Sequence, residues 1–326
     1  MIQRRTLGRT SLPVSEICLG TMNFGRTTDA QTSFDILDAF HQAGGNLIQA
    51  TAPQPGATGN ESTAYSEEIV GRWWQARGIA RDQLVLGTRL TLENQDVETL
   101  AKTAVARCRE SLARFGVSYL DVIVLEWSEA LQPDRAALFV FDSLIREGLV
   151  RYALAANFPI WRVVSSLSQA RQYNHCRMEG LQADYSLMIR ARFEPEAMSL
   201  CREQRLAFLA RAPLAEGFLA SGSYAEADRF GPGYGEKGMA AVTAVARRHN
   251  VSPAQVSLAW VLHRPLVTSA VIGVHSPAQL RELLDACRIR FTPEDLALLE
   301  DATSAEEVRV PTRAPVSSER ELLPFP

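Results

Sequence analysis

The chain has 326 residues, 46% hydrophobic and 22% charged, with a formal net charge of −3. That balance excludes disorder as the main state and leaves no basic footprint for nucleic acid or a membrane surface. The five cysteines, Cys18, Cys108, Cys176, Cys201 and Cys287, are odd in number, widely spaced and form no C-x-x-C. This argues against a disulfide framework or a metal knuckle and predicts a reducing, cytoplasmic setting. No apolar run of about 18 residues and no signal-peptide pattern are present, so neither a membrane span nor a leader is expected.

Along the chain, short β-rich apolar runs alternate with stretches of helical period. Ile17–Gly20 reads as a strand, and Asp29–Ala43 as a helix stopped by Gly44 and Gly45. Strand Asn46–Ala50 precedes helix Ser66–Arg77, in which Trp73 and Trp74 read as packing residues. Strands Leu84–Thr88, Leu120–Leu125 and Arg151–Ala155 are followed by helices Val97–Phe115, Arg135–Glu147 and Ile160–Tyr173. Strand Gly180–Ala183 precedes helix Glu194–Gln204, and strand Ala207–Ala210 precedes a long loop around residues 217–235. Helices Lys237–His249 and Pro253–His263, strand Val267–Ile272 and helix Pro277–Cys287 complete the pattern.

Strict alternation implies parallel strands with right-handed crossovers, and eight such units point to a closed (β/α)8 TIM barrel. A single domain over residues 1–326 is expected, with a proline-containing tail from 305 to 326 wrapped on its outside. In such a barrel the chemistry sits where strands end. The positions to examine are Gln49 and the loop after it, Arg89, Glu126, Trp127, Asn157, Gln182, Tyr185, Arg211 and residues 273–276.

Several segments resemble the aldo-keto reductase family. They are Leu7 to Ser15, Leu19 to Gly25, Ser66 to Trp73, Glu147 to Tyr152, Ala156-Asn157-Phe158, Gln182 to Leu187, Ala212-Pro213-Leu214, and Ile272-Gly273 through Gln279-Leu280. The resemblance runs nearly end to end. It implies a (β/α)8 barrel that binds NADPH extended across the strand ends without a Rossmann domain, and no strand-linked G-x-G-x-x-G is present. It also implies carbonyl reduction by an Asp, a Tyr, a Lys and a His. At the matching positions this sequence has Gln49, Gln54, Arg89 and Glu126.

Gln49 and Gln54 carry no acidic proton, and Arg89 stays protonated, so none of the three relays a proton. Glu126 is the one ionisable acid left at the four positions. Paired with Arg89 it would be held ionised and suited to act as a base. By the resemblance, Gly20, Thr21, Met22, Asn157 and Gln182 lie near the nicotinamide and ribose, with Arg211 beneath the ring. Gly273, Gln279 and the retained Glu282 belong to the adenosine side, where only His275 and Ser276 stand in for a cationic phosphate clamp. NADPH or NADH is therefore the candidate cofactor, on a weakened phosphate grip, and no metal is expected.

Trp127, Gln54 and Tyr65 are candidate substrate-pocket residues, and Tyr65 or Glu61 in the extended loop are candidates to fold over the site. Bland readings stand beside these. Glu126 and Arg89 form a structural ion pair, Trp127 only walls the mouth, Gln49 is a polar plug, and the cysteines are packing residues.

Three functions remain open on sequence. The first is a small-molecule enzyme of cyclisation, elimination, isomerisation or rearrangement, with Glu126 as acid or base, Arg89 supporting an oxyanion and Gln49 positioning the substrate. The second is an NAD(P)H-dependent carbonyl oxidoreductase with a displaced proton donor. The third is a catalytically dead ligand-binding protein or complex subunit.

Overall fold

In a strand, successive side chains point to opposite faces, so a barrel sorts its strand residues into an inner and an outer set. The structure, a computed structural model, describes residues 2–53, 64–93, 96–128, 131, 135–190, 193–221, 227–230 and 233–304. Its barrel strands are β3 (Ile17–Gly20), β4 (Leu47–Thr51), β5 (Val85–Leu90), β6 (Leu120–Glu126), β7 (Val150–Ala156), β8 (Gly180–Asp184), β9 (Ala207–Arg211) and β10 (Ser269–Ile272). All pair in parallel and close in the order β10-β3-β4-β5-β6-β7-β8-β9. The eight-fold alternation predicted above is thus a (β/α)8 barrel.

Two separate apolar clusters follow from the alternation. The outer one joins Ile48, Leu86, Ile123, Ala155, Phe208 and Ala270 to the surrounding helices. The inner one consists of Cys18, Leu47, Val85, Val122, Val124, Leu154, Ala156, Ala207 and Leu209. Leu7 and Val14 join this inner cluster from an antiparallel hairpin, β1 (Arg4–Thr6) and β2 (Pro13–Ser15), which plugs the N-terminal end. The hairpin turn needs Gly8: its φ is +58°, and a Cβ there would come within 2.7 Å of the Glu179 carbonyl. Arg9 then clamps Glu179 with Nε and Nη2 at 2.9 Å.

The helices around the barrel are α1 (Ala30–Gln42), α2 (Ala64–Arg77), α3 (Val97–Phe115), α4 (Arg135–Arg146), α5 (Ile160–Tyr173), α6 (Ala197–Gln204), α7 (Phe218–Ser221), α8 (Tyr234–His249), α9 (Pro253–His263), α10 (Pro277–Leu284) and α11 (Pro293–Ala302). Local chemistry sets their ends. Asp96 caps α3 by accepting from the Thr99 amide, and Gly116 in the left-handed region stops it. The hairpin, α7 and α11 are elements beyond the expected alternation. The last strand is shorter than expected, beginning at Ser269 rather than Val267. The helix after it ends at Leu284 and passes into a 3-10 turn over Asp285–Arg288. Among the described residues no helix is long and apolar enough to cross a membrane.

Candidate active site

The inner-face rule carries through to the C-terminal ends of the strands. Two places beyond Leu47 the inner residue is Gln49, and beyond Val85 come Gly87 and Arg89. Beyond Val124 it is Glu126, beyond Gly180 come Gln182 and Asp184, and beyond Leu209 it is Arg211. An apolar lumen thus ends in a ring of polar groups.

Arg89 pairs with Glu126 across neighbouring strands, each side chain about four-fifths buried. The other carboxylate oxygen accepts from Asn157 Nδ2 at 2.7 Å. Asn157 holds a left-handed φ of +58°, with its backbone amide donating to the Gln182 carbonyl at 3.0 Å. That strained backbone fixes the direction of its side chain. Burial draws the Arg89 guanidinium below its ordinary range. Glu126 opposes this, Arg211 adds to it, and Asp184 opposes it. Arg211 is held by Asp184, its partner in the β8–β9 register, with Nη2 2.6 and 2.7 Å from the two carboxylate oxygens. Arg211 Nε is buried with no hydrogen-bond partner among the described residues.

Gln49 and Gln182 form a reciprocal pair. Gln182 Nε2 donates to Gln49 Oε1 at 2.6 Å, and Gln49 Nε2 donates to Gln182 Oε1 at 3.2 Å. Both are buried. Both sit at the strand ends expected from the sequence, and they bond to each other across the mouth.

The remaining candidates divide. Trp127 stands at the rim, edge-to-face with Phe158 at 5.2 Å, and the Arg162 guanidinium lies 4.6 Å from its ring and 4.3 Å from that of Trp161. Thr21 is buried, its amide donating to the Gln49 carbonyl and its hydroxyl near Ser66. Gly20 packs closely, since a Cβ there would lie 3.2 Å from the Ile272 carbonyl, whereas a Cβ on Gly273 would meet nothing within 4 Å among the described residues. Met22 is exposed. Tyr65, in the first turn of α2, lies against Gly25. Gln54 and Glu61 lie outside the described residues.

Tyr185 is a correction to the list of strand-end positions. It follows Asp184 and points outward, where it stacks on Trp260 and donates to Glu194 at 2.7 Å. Burial pushes its hydroxyl well above the ordinary tyrosine value, so it is no proton donor to the mouth. Asp184 was missed, although the alternation along β8 marks it as an inner residue. Among the cysteines, Cys18, Cys108 and Cys201 are buried while Cys176 and Cys287 are only partly so, and all five are free.

The cofactor implied by the resemblance can be tested on these contacts. Of the carboxamides assigned to the nicotinamide side, Gln182 is buried and paired with Gln49, whereas Asn157 is exposed and donates one N–H to Glu126. On the adenosine side, His275 Nδ1 lies 3.3 Å from Asn23 Nδ2 and 3.2 Å from Thr28 Oγ1. The Ser276 hydroxyl caps α10, and Gln279 Oε1 accepts from the His275 amide. In this arrangement the buried Gln182, occupied by Gln49, does not fit the carboxamide of a nicotinamide dinucleotide. Among the described residues no group of three or more His, Cys, Asp or Glu is placed to hold a metal ion.

A groove of about 820 Å³ lies elsewhere, on the outside of the barrel between α3 and α4. Four of its charged residues pair with one another, Lys102 with Glu98 and Arg109 with Glu147, each at 2.7 Å, and Arg135 lies over the Tyr173 ring. The strand-end mouth is the better candidate for chemistry.

Residues 16–304 match the Aldo/keto reductase family. The chain belongs to that family. Its relatives cover nearly all of it. A Bacillus subtilis protein named "Uncharacterized oxidoreductase YrpG" is 29% identical over 312 residues, 90% of this chain and 94% of its own length. Escherichia coli "Protein tas" is 27% identical over 338 residues, 92% and 97% of the two chains. "Norsolorinic acid reductase stcV" of Emericella nidulans is 27% identical over 315 residues, 88% and 78%. The family's relatives thus include named oxidoreductases.

Proposed function

We propose that this family barrel is a small-molecule enzyme whose acid–base group is Glu126, with Arg89 stabilising negative charge on the substrate. The observation that carries the reading is the Arg89–Glu126–Asn157 constellation at the open ends of β5, β6 and β7. A carboxylate that accepts from a guanidinium and a carboxamide is oriented by two donors, and geometry is the first requirement of a general base. A carbonyl compound entering between Arg89 and Glu126 would lose a proton from the adjacent carbon to Glu126. The resulting oxyanion would be held by Arg89, and Glu126 would return the proton to another carbon or to a departing oxygen. That sequence needs no net oxidant or reductant and covers isomerisation, elimination, cyclisation and rearrangement. Five free cysteines fit a reducing compartment, where we place the protein.

The test is a turnover screen of enolisable carbonyl compounds without added cofactor. Glu126→Gln and Arg89→Ala should each lower any turnover found by about 10²–10³ while the far-UV circular dichroism stays unchanged. Full activity in both variants would overturn the reading.

A second reading, hydride transfer between NADPH or NADH and a carbonyl, is favoured by the oxidoreductase names of the relatives. It requires Asn157 and Gln182 to leave their present partners and a proton donor other than the four replaced positions. Micromolar binding of either dinucleotide together with hydride transfer from labelled cofactor would establish it in place of the first.

A further inference from the structure

β4 and β8 stand four places apart in a closed ring of eight, so they face each other across the lumen. The Gln49–Gln182 pair is therefore a bridge over the barrel's width, at the level where its apolar filling gives way to charge. Each glutamine offers the other one N–H and one C=O, which is the hydrogen-bonding pattern of a primary carboxamide. Gln182 is 1% exposed and Gln49 8%. A buried amide deprived of its partner would retain its full need for one.

We propose that the Gln49 side chain is a built-in occupant of the Gln182 amide. From inside the protein it fills the hydrogen-bond positions that a carboxamide-bearing ligand would need, and so sets the mouth's affinity for that class, nicotinamide dinucleotides included. The Asn157–Glu126 bond takes up one N–H of the other carboxamide of the mouth, which is exposed. A ligand carboxamide must displace Gln49 and leave it unpaired in a confined site, so the exchange returns little. The inference rests on the mouth being the ligand site, and it makes Gln49 a specificity-determining residue rather than a reacting one.

The test is calorimetric titration of the full chain with NADPH, NADH and nicotinamide, using nicotinic acid as the probe that lacks the amide N–H. Wild type, Gln49→Ala, Gln49→Asn and Gln49→Ala with Gln182→Ala are compared. Asn is too short to span the lumen yet keeps a polar group, which covers the case in which the Ala variant does not fold. Removing the occupant should tighten the amide-bearing probes roughly tenfold, the effect of one or two net hydrogen bonds. Nicotinic acid should not gain, and the double variant should lose the gain. Equal or weaker binding of the amide probes to the folded single variants, or no binding to any variant, overturns the proposal. A tightened Gln49 variant alongside full turnover in Glu126→Gln would sink the acid–base reading alone. Turnover lost in Glu126→Gln with no gain at Gln49 would sink this inference alone.

Discussion

Along β4 the lumen is lined first by Leu47 and then by Gln49. Along β5 it is lined by Val85 and then Arg89, and along β6 by Val122, Val124 and then Glu126. The same strands thus build two regions a few ångströms apart with opposite chemistry. The lower region is stabilised by area removed from water and by close packing, which are non-directional and additive over many contacts. The upper region depends on each polar group having its partner, because a half-satisfied network is costly. Lower-lumen variants should therefore scale with volume, and mouth variants with the number of orphaned groups.

The largest effect is expected from Leu154→Ala in the fully buried plug. It should destabilise the barrel by about 3 kcal/mol, lowering the calorimetric midpoint by roughly 4 °C in a chain of this length, while the volume-conserving Leu154→Met should cost less than about 1.5 kcal/mol. Next comes Arg89→Ala, which strands Glu126 beside Asn157 and should cost about 2 kcal/mol, reduced from a deep-core value by partial exposure. The double change Arg89→Met with Glu126→Leu should recover most of that loss in denaturant melts, since it removes both charges together.

An ion site outside the barrel supplies the pH contrast. Burial alone would raise the Asp295 carboxyl, but His249 at 2.7 Å, the Thr292 amide and Arg248 outweigh it and hold the group below its ordinary value. A lowered folded value means stability is fully present above about pH 4 and lost as pH falls through the folded value. Asp295→Asn should cost about 1.5 kcal/mol at neutral pH and flatten the acid limb of the stability profile. The smallest effect is expected at the bridge. Gln49→Ala should cost about 1 kcal/mol by orphaning Gln182, and Gln49→Leu with Gln182→Leu should be close to neutral.

Much of the fold was legible because alternation and caps are local signals. α3 was legible as Val97–Phe115, the span that Asp96 and Gly116 cap in the structure, and the eight strand–helix units by their runs of β-branched residues. The β1–β2 hairpin was not, since three-residue strands carry no readable period. α11 went unread despite Thr292, Pro293 and Asp295, which form its capping box. At the mouth, strand ends named Gln49, Arg89, Glu126, Asn157, Gln182 and Arg211, and the Arg89–Glu126 pair was expected. The bridge between Gln49 and Gln182, 133 residues apart, was hidden because it depends on ring closure bringing β4 opposite β8. Tyr185 was misplaced because a strand-end position alone ignores which face the residue takes. Asp184 was missed for the same reason.

The most direct test of the account is a crystal structure of the wild-type protein grown in excess NADPH. The expected result is an intact Gln49–Gln182 bridge, Asn157 still donating to Glu126, and no nicotinamide between them. A dinucleotide lying across the strand ends, with Gln182 turned from Gln49 to the nicotinamide carboxamide, would contradict it.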